Sequence, residues 1–346
     1  MYPEISLTQR LELLKPPQHR VSMVLDTDPY NEMDDQFAIV YSLLAPERLN
    51  VKAIYAAPFA NARSGNDEKR GMEKSYEVAK EILGKLQGPQ LPHIPPVFRG
   101  SDRWVSEDNA GFKGTAIRSE AAEHLIHLVE TQPEGELLYV VGIAAITNIA
   151  SAILLKPEII RKMVVVWLAG HPYNYYNTDE FNLRQDIYAS RVVLDCGVPL
   201  VRIPCRNVAE HLLLTVEEVE NRLKGRGEIG NYLYKAYHEY LEEKKFISRP
   251  IWDMAPIAWL VNPTWVETII IPSPLLTVSP LQTEGYFTPF LTQKLTFEKN
   301  RKAYCTWNND PRRHLIREAY RLNRDAIFQD FYHRLDKYRG VGKVEN

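Results

Sequence analysis

The residues best equipped for chemistry lie together near the start of the chain. In LDTDPYNEMDD, Asp26, Asp28, Asp34 and Asp35 fall within ten residues, with Glu32 as a fifth acid among them. Asp34 and Asp35 have a purely structural explanation, because negative charge is stabilised where a helix begins. That explanation does not reach Asp26 and Asp28. Crowding four carboxylates together without a cation raises their pKa values or sets them against one another. The cluster therefore reads as a site for a hard divalent ion held by oxygen. Calcium suits irregular geometry best, and magnesium is the alternative.

The elements that must position these acids follow from the apolar pattern. Residues 21–25 form a short apolar run ending in the acids, a buried strand, and 33–44 follow with helical spacing. Further strands are expected at 51–57, 137–142, 163–168, 200–203 and 266–271. Helices are expected at 71–86, 116–129, 146–155 and 187–194, with a proline-rich loop at 87–96. Strands alternating with helices imply an α/β fold, an open, mostly parallel, Rossmann-like sheet with helices on both faces. In such sheets ligands collect beyond the carboxyl ends of the strands, where Asp26 and Asp28 fall. From residue 205 the pattern turns helical, at 216–223 and 229–246, and 312–338 reads as one long amphipathic helix. The tyrosines of 229–246 read as packing. The preferred parse is a single domain over 1–346, with a helical segment at about 205–262 covering the active site.

With 45% hydrophobic and 25% charged residues and a net charge of −2, the chain has an ordinary globular composition. That balance argues against a nucleic-acid partner. No apolar stretch is long enough to span a membrane, and the first twenty residues lack the apolar core of a signal peptide. Cys196, Cys205 and Cys305 are too few and scattered for a disulfide framework or zinc site, so a reducing cytoplasm is the expected compartment.

A strand followed by DxD, a spacer and DD resembles the signature of the nucleoside hydrolases, the nucleoside N-ribohydrolases. Three further segments match in order: GIAAITNIA at 142–150, DEFN at 179–182 and WDMAPIAWLVNP at 252–263. The resemblance implies the nucleoside hydrolase fold, a calcium ion and homo-oligomeric assembly as a dimer or tetramer. It implies that Asp28 is a metal ligand and the base that activates water. Asp35, Asp253 and the backbone carbonyl of Ile143 would complete the protein ligands. Asp34, Glu180 and Asn182 would hold the ribose, joined by Asn174 or Asn177, and Asp26 would support the site from behind.

The chemistry is coherent on its own terms. Cleaving an N-glycosidic bond passes through a cation-like sugar. A metal-bound water can be deprotonated by Asp28, and carboxylates around the sugar stabilise the developing charge. Glu180 and Asn182 at i, i+2 would share one side of an extended segment. Some nucleoside hydrolases place histidine just before the late aspartate as a proton donor to the base. Trp252 stands there instead, which resembles the purine-preferring members, and an aromatic platform suits a purine. Trp252 also reads as core. Trp104 is a second candidate stacking residue, Phe59 a weaker one, and His171 either a polar contact or structural.

The match departs at one place. Five residues, Pro29 to Met33, separate Asp28 from Asp34, two more than usual and without the usual glycine. This loop could bulge outward, offer Glu32 as a ligand, or send Tyr30 and Asn31 into the pocket. The segment 57–77, with Asn61, Arg63 and Glu73, also departs. The expected activity is hydrolysis of ribonucleosides, purines favoured, to base and ribose. The alternatives are a homologue that binds ligand with altered or lost activity, or a haloacid dehalogenase-type phosphatase with Asp26 as nucleophile.

Overall fold

The computed structural model describes residues 2–86, 91, 93–107, 114–280 and 303–338. Part of the proline-rich loop, 87–90 and 92, lies outside the described residues. The strands are β1 (Val21–Thr27), β2 (Leu49–Ala56), β3 (Val97–Arg99), β4 (Ser106–Glu107), β5 (Gly114–Thr115), β6 (Leu138–Gly142) and β7 (Met163–Leu168). They continue with β8 (Leu200–Ile203), β9 (Leu213–Thr215), β10 (Ser248–Pro250), β11 (Val266–Pro272), β12 (Leu275–Pro280), β13 (Ala303–Asn308) and β14 (Leu315–Leu322).

Eight of these form one sheet in the order β11-β14-β8-β7-β6-β1-β2-β3. All neighbours pair in parallel except β11 with β14. The chain runs from β1 outward through β2 to β3, then returns to lay β6 on the other side of β1. That reversal is a topological switch point, and it places a crevice at the carboxyl end of β1.

Helices α1 (Leu7–Leu13), α2 (Asp34–Leu43), α3 (Glu68–Lys85), α4 (Glu120–Thr131) and α5 (Thr147–Leu155) precede α6 (Phe181–Gln185) and α7 (Ile187–Asp195). Then come α8 (Val216–Arg222), α9 (Gly227–Lys244), α10 (Met254–Val261) and a last helix, α11 (Arg324–Lys337). Side chains alternate across a strand, and β1 shows what this does. Met23 and Leu25 enter a core with Phe37 of α2, Trp259 of α10 and Phe331 of α11. Val24 enters the other, with Leu125 of α4, Ile149 of α5 and Val193 of α7. Helices thus cover both faces, as the α/β pattern requires.

The expected single helix over 312–338 is not formed. Leu315–Leu322 is a strand buried between β8 and β11, and the helix begins only at Arg324. Asn323 ends one and starts the other, its side chain accepting from the Ala326 amide. The cause is an irregularity in the register. Thr268 pairs with Ala319 but Glu267 with Arg321, so Tyr320 is an extra residue on β14. The bulge breaks the period-two alternation and leaves Leu315, Ala319 and Leu322 at a spacing that mimics a helix face. Helix α1, capped by Ser6, and the short strands β3, β9 and β10 carried too few residues to show a period.

Candidate active site

β1 carries Asp26, Thr27 and Asp28 to the crevice. Asp26 shares the face of Val24, toward α5, and is fully buried. Its Oδ1 accepts from Asn148 Nδ2 at 2.7 Å, and Asn148 Oδ1 accepts from the Ser101 amide at 2.7 Å. Gly100 permits this approach, since a Cβ there would fall 2.0 Å from the Ala56 oxygen and 2.4 Å from Asn148 Nδ2. Burial pushes the Asp26 carboxyl up to about 7, against the pull of Asn148. A nucleophile must face its substrate, and Asp26 faces a helix behind the pocket, which removes the dehalogenase-type reading.

Asp28 lies past the strand end. Its amide donates to Asp35 Oδ1 at 2.9 Å, and Thr27 Oγ1 donates to the same oxygen at 2.5 Å. Asp34 and Asp35 open α2, whose N-cap residue, Met33, makes no side-chain capping bond. Asp253 occupies the N-cap of α10 and likewise caps nothing with its side chain. Two helix N-termini therefore aim partial positive charge at one group of acids. One carboxylate oxygen from each of Asp34, Asp35 and Asp253 lies within 4.8 Å of the others, and all three residues are buried.

The electrostatics mark this group as incomplete. Burial, then the charges of Asp35, Asp34 and Glu32, pushes Asp28 well above the carboxylate range. Asp34 and Asp253 are raised by burial and by their acidic neighbours, and burial lifts Asp35 to about 6. The carboxyls of Asp35 and Asp253 lie close enough for each to shift the other, lowering Asp35 and raising Asp253. Asp28 Oδ2 is buried with no hydrogen-bond partner among the described residues. An unpartnered carboxylate oxygen beside three converging acids is the donor set of a hard divalent cation. The residues present fit such an ion.

One pocket brings together Asp28, Asp34, Asp35 and Asp253 with Ile143, Glu180, Asn182 and Trp252. Glu180 and Asn182 are not in a strand. Glu180 is the N-cap of α6, accepting from the Asn182 and Leu183 amides at 2.9 and 3.1 Å and from the Gly170 amide at 2.9 Å. Gly170 has φ +68°, a turn open to glycine, and a Cβ there would press on Thr178 and Trp307. Asn182 Nδ2 donates to the Leu168 oxygen, fixing the amide. Trp252 is half-buried: it packs against the core and still lines the pocket. Asp26 stands outside the lining.

Other sequence candidates lie elsewhere. Asn174 is exposed and Asn177 is buried, its Oδ1 accepting from the Asp179 amide, and neither lines the pocket. Trp104 is half-buried outside the lining, and Phe59 is fully buried beside Tyr30. His171 is buried and does line the pocket.

The long spacer folds inward. Asn31 donates its amide to the Asp28 carbonyl at 2.7 Å, closing a tight turn, and Asn61 Nδ2 donates to Asn31 Oδ1 at 2.8 Å. Asn31 and Glu32 both line the pocket, whereas Tyr30 rests against Phe59 and under Arg63. Glu32 is not among the converging acids; both its oxygens accept from Arg249 Nη2, at 2.8 and 2.5 Å. Arg249, Arg206, Cys205 and Phe181 also line the pocket, and no pattern in the sequence marks them for it. Phe181 lies inside the 179–182 segment and Arg249 three residues before Trp252, whereas Cys205 and Arg206 are far from every motif and only folding places them. Asn148, inside the 142–150 segment, likewise carries no signal of its contact with Asp26.

Residues 23–322 match the profile of the family described as "Inosine-uridine preferring nucleoside hydrolase". The chain belongs to this family. Membership makes it a nucleosidase-type enzyme, a hydrolase of N-glycosyl bonds. It is 27% identical over 270 residues to "Pyrimidine-specific ribonucleoside hydrolase RihA" of Escherichia coli O9:H4 (strain HS), covering 71% of this chain and 81% of that one. It is 24% identical over 234 residues to "Probable uridine nucleosidase 2" of Arabidopsis thaliana, covering 64% and 71%. Its fold is shared with the solved "Purine-Preferring Ribonucleoside Hydrolase from Gardnerella vaginalis", at a TM-score of 0.65 and 19% identity over 91% of this chain and 98% of that one. No described helix is long and apolar enough to cross a membrane.

Proposed function

We propose that this enzyme hydrolyses ribonucleosides, purine nucleosides by preference, to free base and ribose, with calcium as its ion. The observation that carries the reading is the unpartnered Asp28 Oδ2 beside the converging oxygens of Asp34, Asp35 and Asp253, in one pocket with Glu180, Asn182 and Trp252. Asp28, Asp35, Asp253 and the Ile143 carbonyl would hold the ion, with magnesium as the alternative. When bound, calcium supplies positive charge that acidifies a nearby water and anchors the ribose hydroxyls.

The remaining work falls to the protein. Asp28, whose amide is tied to Asp35 while one oxygen stays unpartnered, is placed to take the proton of the attacking water. Asp34 and Glu180 set negative charge around the sugar as it turns cationic. Asn182, its Nδ2 anchored on Leu168, presents its amide oxygen to a ribose hydroxyl. Trp252 offers a ring face to the base, and the wide π-surface of a purine gains most from it. The segment 205–262, which contributes Cys205, Arg206, Arg249, Trp252 and Asp253 to the lining, supplies the cover.

The test is incubation with inosine, guanosine, uridine and cytidine in calcium-containing buffer, following free base and reducing sugar. Release of both, faster from the purines, is expected. Binding without turnover would identify a disabled homologue, and faster uridine cleavage would overturn the purine preference.

A further inference from the structure

In the proposed reaction the departing base has no proton donor at position 252, because tryptophan cannot protonate it. We propose that Arg249 takes this part, donating hydrogen bonds from its guanidinium to the base as the glycosidic bond breaks; this rests on the nucleoside-hydrolysis reading above. Arg249 sits on β10, three residues before Trp252, and lines the same pocket as Asp28 and Asp253. Its guanidinium carbon lies 5.8 Å from the ring centre of Trp252, the proposed platform for the base.

Its hydrogen bonding is half used. Glu32 takes Nη2 with both oxygens, while Nε and Nη1 have no acceptor among the described residues, and Nε is buried. A buried donor left unpaired is costly, and a ligand acceptor would satisfy it. The rings of Tyr240 and Phe246 also lie 5.8 Å from the guanidinium. Glu32 comes from the long spacer between Asp28 and Asp34. That spacer, the main departure from the family pattern, is what orients Arg249.

The step balances without an extra reagent. The bond from C1′ to the base nitrogen breaks, and its electron pair stays on the nitrogen. The water oxygen bonds to C1′, and its proton passes to Asp28. Arginine does not give up a proton. It stabilises the anionic base, which then takes a proton from solvent. Ring-nitrogen and carbonyl acceptors on a purine edge match a guanidinium fork.

The test compares Arg249→Gln and Arg249→Lys with the wild type on two probes, inosine and p-nitrophenyl β-D-ribofuranoside, whose leaving group needs no stabilisation. Loss of a single donor to developing negative charge lowers kcat by about 100- to 1000-fold. That loss is expected for Arg249→Gln on inosine, with less than about a threefold change on the nitrophenyl riboside, as leaving-group assistance requires. Arg249→Lys should recover part of the inosine rate. Equal losses on both probes, or an unchanged inosine rate in Arg249→Gln, overturn the inference and leave the activity standing. A wild-type protein that cleaves neither probe overturns the activity and this inference with it.

Discussion

Arg202 of β8 and Glu318 of β14 face each other in register and form an ion pair inside the sheet. Arg202 is wholly buried and lies over the Trp307 ring at 4.7 Å. Its Nη1 donates to the His171 oxygen at 2.8 Å, and Glu318 Oε1 accepts from the Tyr173 amide at 3.1 Å. The pair therefore pins the loop that leads from β7 to Glu180. Removing one partner leaves a buried charge uncompensated, which costs about 3–5 kcal/mol. Arg202→Met and Glu318→Gln are each expected to destabilise by that amount in urea unfolding. Arg202→Met/Glu318→Leu, which removes both charges, should lose less than either. A double variant as unstable as the sum would refute the account.

The buried acids make ion binding and pH interdependent. Burial lifts Asp26 to about 7 and Asp35 to about 6, from an ordinary value of 3.8. Between about pH 4 and pH 7 these two sites hold more protons in the ion-free folded chain than in the unfolded chain, so their contribution to stability falls as pH rises. An added ion must displace the proton held on Asp35, one of its proposed ligands, so it binds more tightly at high pH. Calcium is expected to raise the melting temperature more at pH 8 than at pH 5. Thermal melts with calcium and with chelator, at both values, decide the matter. A larger gain at pH 5 would contradict it.

Much of this arrangement was legible in the sequence, because it rests on local signals. Strand β7, at Met163–Leu168, and the acids at the end of β1 announce themselves by an apolar run and by charge with no helical explanation. The sequence of β14 resembles a helix because a bulge at Tyr320 disguises its period. Glu180 and Asn182 reached the pocket by a route the sequence does not show: the EFN segment starts a helix, and Glu180 caps it. Arg249 could not be foreseen at all. Its role depends on Glu32, 217 residues away, and no spacing rule links them.

Trp252 divides its surface between core and pocket, so its removal should register in both stability and specificity. Stacking on an aromatic ring contributes about 1–3 kcal/mol per base. Trp252→Ala is therefore expected to lower kcat/KM for inosine by about 10- to 100-fold, and for uridine by distinctly less. The comparison uses steady-state rates at one calcium concentration, with a melt to confirm folding. Equal losses on both nucleosides would reduce Trp252 to a packing residue.

Asp28 is raised by burial and then by three neighbouring acids and has a buried oxygen without a partner, so in the ion-free state its charge is a burden on the fold. Asp28→Ala removes that repulsion, and with it the proposed base and an ion ligand. The ion-free variant is expected to melt no lower than the ion-free wild type. Its stabilisation by calcium should shrink, because a ligand is lost. Its turnover of inosine should fall by about 1000-fold or more, since base and ligand act as one unit. Melting with and without calcium, beside base release from inosine, separates these effects. A folded Asp28→Ala protein that still cleaves inosine within tenfold of the wild type would remove Asp28 from the mechanism.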